Sequence, residues 1–145
     1  MSNSYGAIDQ TLIDHFEDPY HRGDCEAATH VAEGENSLCG DTMQVQLRIS
    51  PSDGQIEEAW FDGDGCVVSQ AAASMLMETI EAMTPDAIRD FDTRAMLERL
   101  GPSIAVSQQK CGLLAWRVLQ LALQSPLDEF GDGPTFGGPH LGEEN

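Results

Sequence analysis

Lysine is almost missing from this chain. Lys110 is the only one, and with six arginines it faces 25 acidic residues, giving a formal net charge of -18. A protein this negative has too few cations to neutralise a phosphate backbone, which argues against nucleic-acid binding, and it is repelled by anionic membrane surfaces. It suits partners that carry a basic docking face. Long apolar runs are also lacking, and none approaches the roughly 18 residues of a membrane span. The first residues, Met1 to Gly6, hold neither a basic patch nor an apolar stretch of the secretory kind, so the expectation is a soluble, cytoplasmic protein. Cysteine is scarce and dispersed: Cys25, Cys39, Cys66 and Cys111 form no Cys-x-x-Cys pair. Zinc-ribbon and thioredoxin-like readings therefore lose their usual support. In a reducing compartment, separated cysteines point to metal binding or thiol chemistry before a disulfide framework.

What is present fits one domain. The length of 145 residues is close to the modal domain size. Ile8, Leu12, His15 and Phe16 share one face of a short helix over residues 8–17, which Asp18-Pro19 ends. Residues 20–40 are polar and irregular, and read as loop with an edge strand near Thr29 to Ala32. Met43, Val45, Leu47 and Ile49 alternate with Gln44, Gln46 and Arg48, the period-2 pattern of a strand with one buried face. Pro51, Asp53 and Gly54 supply a turn, and residues 56–61 return as a second strand, making a hairpin.

Helices dominate the second half. Residues 67–83 are rich in alanine, methionine and leucine, as in a buried helix that follows Cys66. Thr84-Pro85-Asp86 combines an N-cap, a proline at the first helical position and an acid in the first turn, while Asp92 and Gly101 bracket another short helix. Residues 111–124 are apolar around most of their circumference, and Cys111 opens this helix. The expected fold class is α+β: a small antiparallel sheet of about three strands with helices packed on one face. The domain should span residues 1–127. Residues 128–145 form an acidic tail rich in glycine and proline that cannot bury enough surface to order itself.

The hairpin gathers residues with ligand chemistry. A turn centred between Ser52 and Asp53 sets Cys39 opposite Cys66, whereas a two-residue Asp53-Gly54 turn sets Asp41 opposite Cys66. Either register brings Cys39, Asp41 and Cys66 to one hairpin end. Cys66 and Cys111 stand at helix starts, where unpaired N–H groups and the helix dipole favour negative charge on sulfur. Two or three thiolates with one carboxylate would make a four-coordinate site for zinc or iron, with the oxygen as its most exchangeable ligand. Plainer readings exist for each residue taken singly: buried cysteine is common as a small hydrophobe, and Asp41 could be an ordinary turn residue. Cys25, between Asp24 and Glu26, reads as a solvent-exposed bystander. His15 reads as packing, and His21 and His30 as loop residues.

Four short motifs in order, Asp18-Pro19-Tyr20-His21-Arg22-Gly23, Cys39-Gly40-Asp41, Gly63-Asp64-Gly65-Cys66 and Lys110-Cys111, resemble the NifU/IscU/SufU iron–sulfur cluster assembly scaffolds over residues 5–125. Lys110, the helix carrying Ile13-Asp14-His15-Phe16, and Leu114 and Trp116 after Cys111 look closest to the SufU type. The 45-residue step from Cys66 to Cys111 is shorter than is usual there, and Gly101-Pro102-Ser103-Ile104 does not reproduce the chaperone-recognition motif of IscU proteins. The resemblance implies a SufE/NifU-like fold and Cys39, Asp41, Cys66 and Cys111 as ligands of a two-iron, two-sulfur cluster or of zinc. It also implies a cysteine desulfurase of the SufS/IscS/NifS type as sulfur donor, Cys39 as persulfide acceptor in a sulfurtransferase-type step, and apo iron–sulfur proteins as recipients. The competing class is a structural zinc-binding interaction module that transfers nothing. Cysteine-dependent hydrolysis is disfavoured because no histidine adjoins a candidate cysteine in the sequence.

Overall fold

The computed structural model describes residues 8–36 and 40–127. Its elements run α1 (Gln10–Glu17), β1 (His30–Asn36), β2 (Asp41–Ile49), β3 (Ile56–Asp62), α2 (Val67–Glu81), α3 (Pro85–Arg89), α4 (Thr93–Leu100), a 3-10 turn at Val106–Gln108, and α5 (Gln109–Leu123). The strands form one antiparallel sheet in the order β1-β2-β3. No helix among the described residues is long and apolar enough to cross a membrane.

Local chemistry accounts for most boundaries. Asp9 caps α1 by accepting from the Thr11 N–H, Thr84 caps α3 through Ala87, and Asp92 caps α4 through Ala95. Gly101 ends α4 with φ +83°, a left-handed conformation that suits glycine. On β2 the odd positions Asp41, Met43, Val45 and Leu47 point inward and are buried. Helix α2 packs on β3 and α5 on β1 and β2, with α1 against α2 and α4 against α5. The core between sheet and helices contains Phe61, Leu47, Leu76, Met77, Leu114 and Leu119. The helices therefore lie on one face of the sheet, as the sequence pattern leads one to expect.

Three sequence expectations change. Strand β1 is longer than Thr29 to Ala32, because its backbone stays paired with β2 from His30↔Leu47 to Asn36↔Asp41. The hairpin turn follows the first of the two registers, with the Ser50 N–H donating to the Gln55 carbonyl and Gly54 at φ +75°. A bulge then intervenes, since Ile49 faces Ile56 but Arg48 faces Glu58. The extra residue lets Ile56, Ala59 and Phe61 all turn inward, which strict alternation would forbid. Continuing the ladder from Gln44↔Asp62 sets Asp41 opposite Gly65, so neither expected pairing with Cys66 is the one adopted. The third change is Cys25, which is buried and not solvent-exposed. Its N–H donates to Gln46 Oε1 on the face of the sheet away from the helices, and burial, with Glu58 nearby, raises its thiol pKa.

Candidate metal centre

Three elements bring ligand-type side chains to one point. Asp41 begins β2 on its inward face, Cys66 is the N-cap residue of α2, and Cys111 lies in the first turn of α5. A carboxylate oxygen of Asp41 and the two Sγ atoms all lie within 4.8 Å of one another. Cys66 Sγ is 3.9 Å from Asp41 Oδ2. Asp41 and Cys111 are buried and Cys66 is exposed, so the cluster opens to solvent on the Cys66 side. Cys39 lies outside the described residues, as does the whole of the 128–145 tail.

The donor set fits a metal. Bonds of about 2.3 Å to sulfur and about 2.0 Å to oxygen at tetrahedral angles place ligand atoms roughly 3.5–3.8 Å apart. The Cys66–Asp41 distance is already close to that, and a contraction of about an ångström closes the widest spacing in the cluster. Soft thiolates beside one harder carboxylate suit zinc or iron.

The surrounding loop is built to tight tolerances. Gly63 has φ +148°, and a Cβ there would overlap the Thr42 carbonyl. A Cβ on Gly65 would overlap Ser69 Oγ and lie 3.0 Å from the Asp41 carboxyl carbon. Thr42 N–H donates to the Asp64 carbonyl at 2.8 Å, and the Gly63 carbonyl accepts from Arg22 Nη2 at 2.9 Å and Gln70 Nε2 at 3.0 Å. Glycine at 63 and 65 thus lets the loop lie flat against β2 while side chains from two other segments hold it.

Asn36 is a site residue that sequence reasoning missed. It ends β1, pairs with Asp41, is buried, and directs Nδ2 toward Cys111 Sγ at 3.9 Å. An isolated asparagine in a polar stretch gives no such signal. Only the strand register reveals it.

The Asp18–Gly23 motif contributes bracing in place of ligands. Tyr20 N–H donates to Ser74 Oγ on α2, while the Phe61 N–H donates to the His21 carbonyl and the Gly23 N–H to the Phe61 carbonyl. The His21 ring stacks between Tyr20 and Trp60, with Nδ1 2.8 Å from Glu81. Tyr20 OH also donates to Glu81, and this bond raises the phenol pKa to about 12. His15 is engaged with Ser74 at 2.7 Å, in keeping with a packing role. Burial lowers the pKa of His30, whose ring contacts Thr29 Oγ1. Lys110 is exposed beside the site.

A model of the NifU-like N terminal domain matches residues 7–127, most of the chain. The chain belongs to the NifU-like N-terminal domain family. Among its relatives, the iron-sulfur cluster assembly scaffold protein IscU of Thermotoga maritima is 29% identical over 131 residues, covering 79% of this chain and 91% of that protein. The zinc-dependent sulfurtransferase SufU of Bacillus subtilis is 28% identical over 135 residues, covering 77% of this chain and 85% of that protein. The crystal structure of the N-terminal part of a nitrogen-fixing NifU-like protein from Brucella abortus superimposes with a TM-score of 0.64 at 16% identity, covering 80% of this chain and 91% of that one. That likeness speaks for the α+β fold alone. The two sequence relatives differ in identity by only one percentage point, so identity does not separate the IscU and SufU types for this NifU-like domain.

Proposed function

We propose that this protein is an iron–sulfur cluster assembly component that holds a cluster or a zinc ion on Cys39, Asp41, Cys66 and Cys111, receives sulfur from a cysteine desulfurase, and passes its cargo to apo-proteins. The observation that carries this reading is the convergence of Asp41, Cys66 and Cys111 from three elements far apart in sequence, within 4.8 Å. Family membership supplies the biological setting, since relatives are named as cluster scaffolds and as a zinc-dependent sulfurtransferase.

The donor chemistry favours release over permanent holding. A structural zinc site is normally closed by four cysteine or histidine ligands, whereas Asp41 offers an oxygen that competes less well for a metal already bonded to thiolates. Exposure of Cys66 gives a partner one open approach. As persulfide acceptor, Cys39 would attack the desulfurase persulfide as a thiolate; its sulfur bonds the outer sulfur while the donor cysteine leaves as thiolate. With a two-iron, two-sulfur cluster as cargo the role is that of the IscU type, and with zinc and persulfide transfer that of the SufU type.

Anaerobic purification with elemental analysis and an absorption spectrum distinguishes the two cargoes, and mass spectrometry after mixing with a desulfurase and cysteine locates the persulfide. Asp41→Ala is expected to retain much of the metal or cluster but to deliver it, or take up sulfur, more slowly. Equal retention and equal transfer in that variant would remove Asp41 from the site. Metal retention with no sulfur uptake or cluster transfer in the unaltered protein would favour the structural zinc module.

A further inference from the structure

The two outer edges of the sheet are treated differently. On β3 the backbone groups that point to the outer edge are those of Ala59 and Phe61, and they are engaged: Ala59 N–H with Glu81, the Ala59 carbonyl with His21 Nδ1, Phe61 N–H with the His21 carbonyl, and the Phe61 carbonyl with Gly23. On β1, among the described residues, the edge is covered only at its start. Val31 N–H donates to the Ser125 carbonyl, Leu127 N–H donates to the Thr29 carbonyl, and His30 bridges Pro126 in antiparallel sense. The period of two in a strand turns the N–H and C=O groups of Glu33 and Glu35 to the same outer edge as those of Val31. Among the described residues these four groups have no hydrogen-bond partner.

Side-chain chemistry narrows what could cover them. Glu33 and Glu35 are exposed, lie on the sheet face opposite the helices, and neither forms an ion pair among the described residues. Glu33 meets only the neutral amide of Gln44, at 3.4 Å. A second copy adding along this edge would bring carboxylates against carboxylates, which disfavours self-pairing. Charged side chains on an edge strand already deter indiscriminate pairing, and the same charges select for a basic strand.

We propose that the outer edge of β1 at Glu33–Glu35 takes up an extended segment of a partner protein by strand addition, with alternate basic side chains facing Glu33 and Glu35 and the intervening apolar ones facing α5. The edge accepts the chain's own residues 125–127 one step earlier, so its geometry is suited to pairing. Strand β1 ends at Asn36, beside Cys111. A strand added here therefore leads toward the candidate metal centre, and the net charge of -18 steers a basic segment to it. The inference stands whether or not the proposed cargo is correct, because it rests on backbone groups and surface charge.

The test uses the full chain and a capped hexapeptide of alternating valine and lysine, with a valine–glutamate peptide as control. Binding measured by calorimetry should be at least roughly tenfold tighter for the lysine peptide, and hydrogen exchange of the Glu33 and Glu35 amides should slow by a similar factor. Glu33→Pro removes an outward N–H without touching the β1–β2 ladder and should abolish that protection. Glu33→Lys with Glu35→Lys should reverse the preference to the glutamate peptide, which keeps the test valid if the proline variant misfolds. Binding that leaves both amides unprotected, or that Glu33→Pro and the double lysine variant leave unchanged, would overturn the proposal in favour of diffuse attraction to an acidic surface. A dimer of the unaltered chain that protects the same amides would assign the edge to self-pairing instead.

Discussion

Gly65 and Asp41 are held so close that a methyl group on Gly65 would lie 3.0 Å from both the carboxyl carbon and Oδ1 of Asp41. The same methyl would overlap Ser69 Oγ, so the space beside the buried carboxylate exists because residue 65 has no side chain. Gly65→Ala should displace Asp41 from the cluster. We expect zinc affinity, measured by competition with a chelator, to fall roughly tenfold, with a loss of about 1–3 kcal/mol of stability from overpacking. Unchanged affinity would mean that the space left by Gly65 does not position Asp41 for binding.

Cys66 and Cys25 should respond differently to the same substitution. Cys66→Ser removes the exposed thiolate of the cluster and should eliminate most of the bound metal, about one equivalent per chain in the unaltered protein. Full metal content in that variant would refute the ligand assignment. Cys25→Ser should leave metal content unchanged. Because Cys25 is buried and its thiol pKa raised, alkylation of the native chain should spare it until denaturant is added.

Asn36 supports the site from outside the ligand set. Its amide approaches Cys111 Sγ at 3.9 Å from the end of β1. Asn36→Ala should weaken metal binding by about 10-fold while leaving the stoichiometry intact, since outer-shell contacts to ligands typically carry effects of that size. An equal affinity for both proteins, determined by the same competition assay, would make Asn36 a purely structural residue of the strand.

Tyr20 should give the protein an alkaline liability. Its hydrogen bond to Glu81 raises the phenol pKa from 10.0 to about 12 in the folded chain. The protonated form is therefore favoured by folding: its contribution is fully present below pH 10 and is lost as the pH rises from there toward 12. Ultraviolet titration of the native protein should show one tyrosine ionising late. Tyr20→Phe should be less stable at neutral pH and lose stability less steeply across that alkaline window. A native titration in which both tyrosines ionise near pH 10 would contradict the Tyr20–Glu81 contact.

Sequence alone determined the features that rest on local physics. Alternation at Met43, Val45 and Leu47 sets a buried strand face whatever lies elsewhere, and Thr84, Asp92 and Gly101 cap helices through atoms only a few residues away. The four motifs also marked Asp41, Cys66 and Cys111 before their distances were known. Tertiary structure decided what depends on register and on segments that meet through space. The bulge opposite Arg48 and Ile49 arises because Ile56, Ala59 and Phe61 must all enter the core, and it moves Gly65 opposite Asp41. Cys25 lies between two acidic residues in the chain, yet it is buried because its loop folds onto Gln46 of β2. Asn36 belongs to the site only through its pairing with Asp41 and its reach to Cys111. Periodicity and caps are encoded within one or two turns of chain, whereas register, burial of loops and convergence of distant ligands follow from how the elements pack.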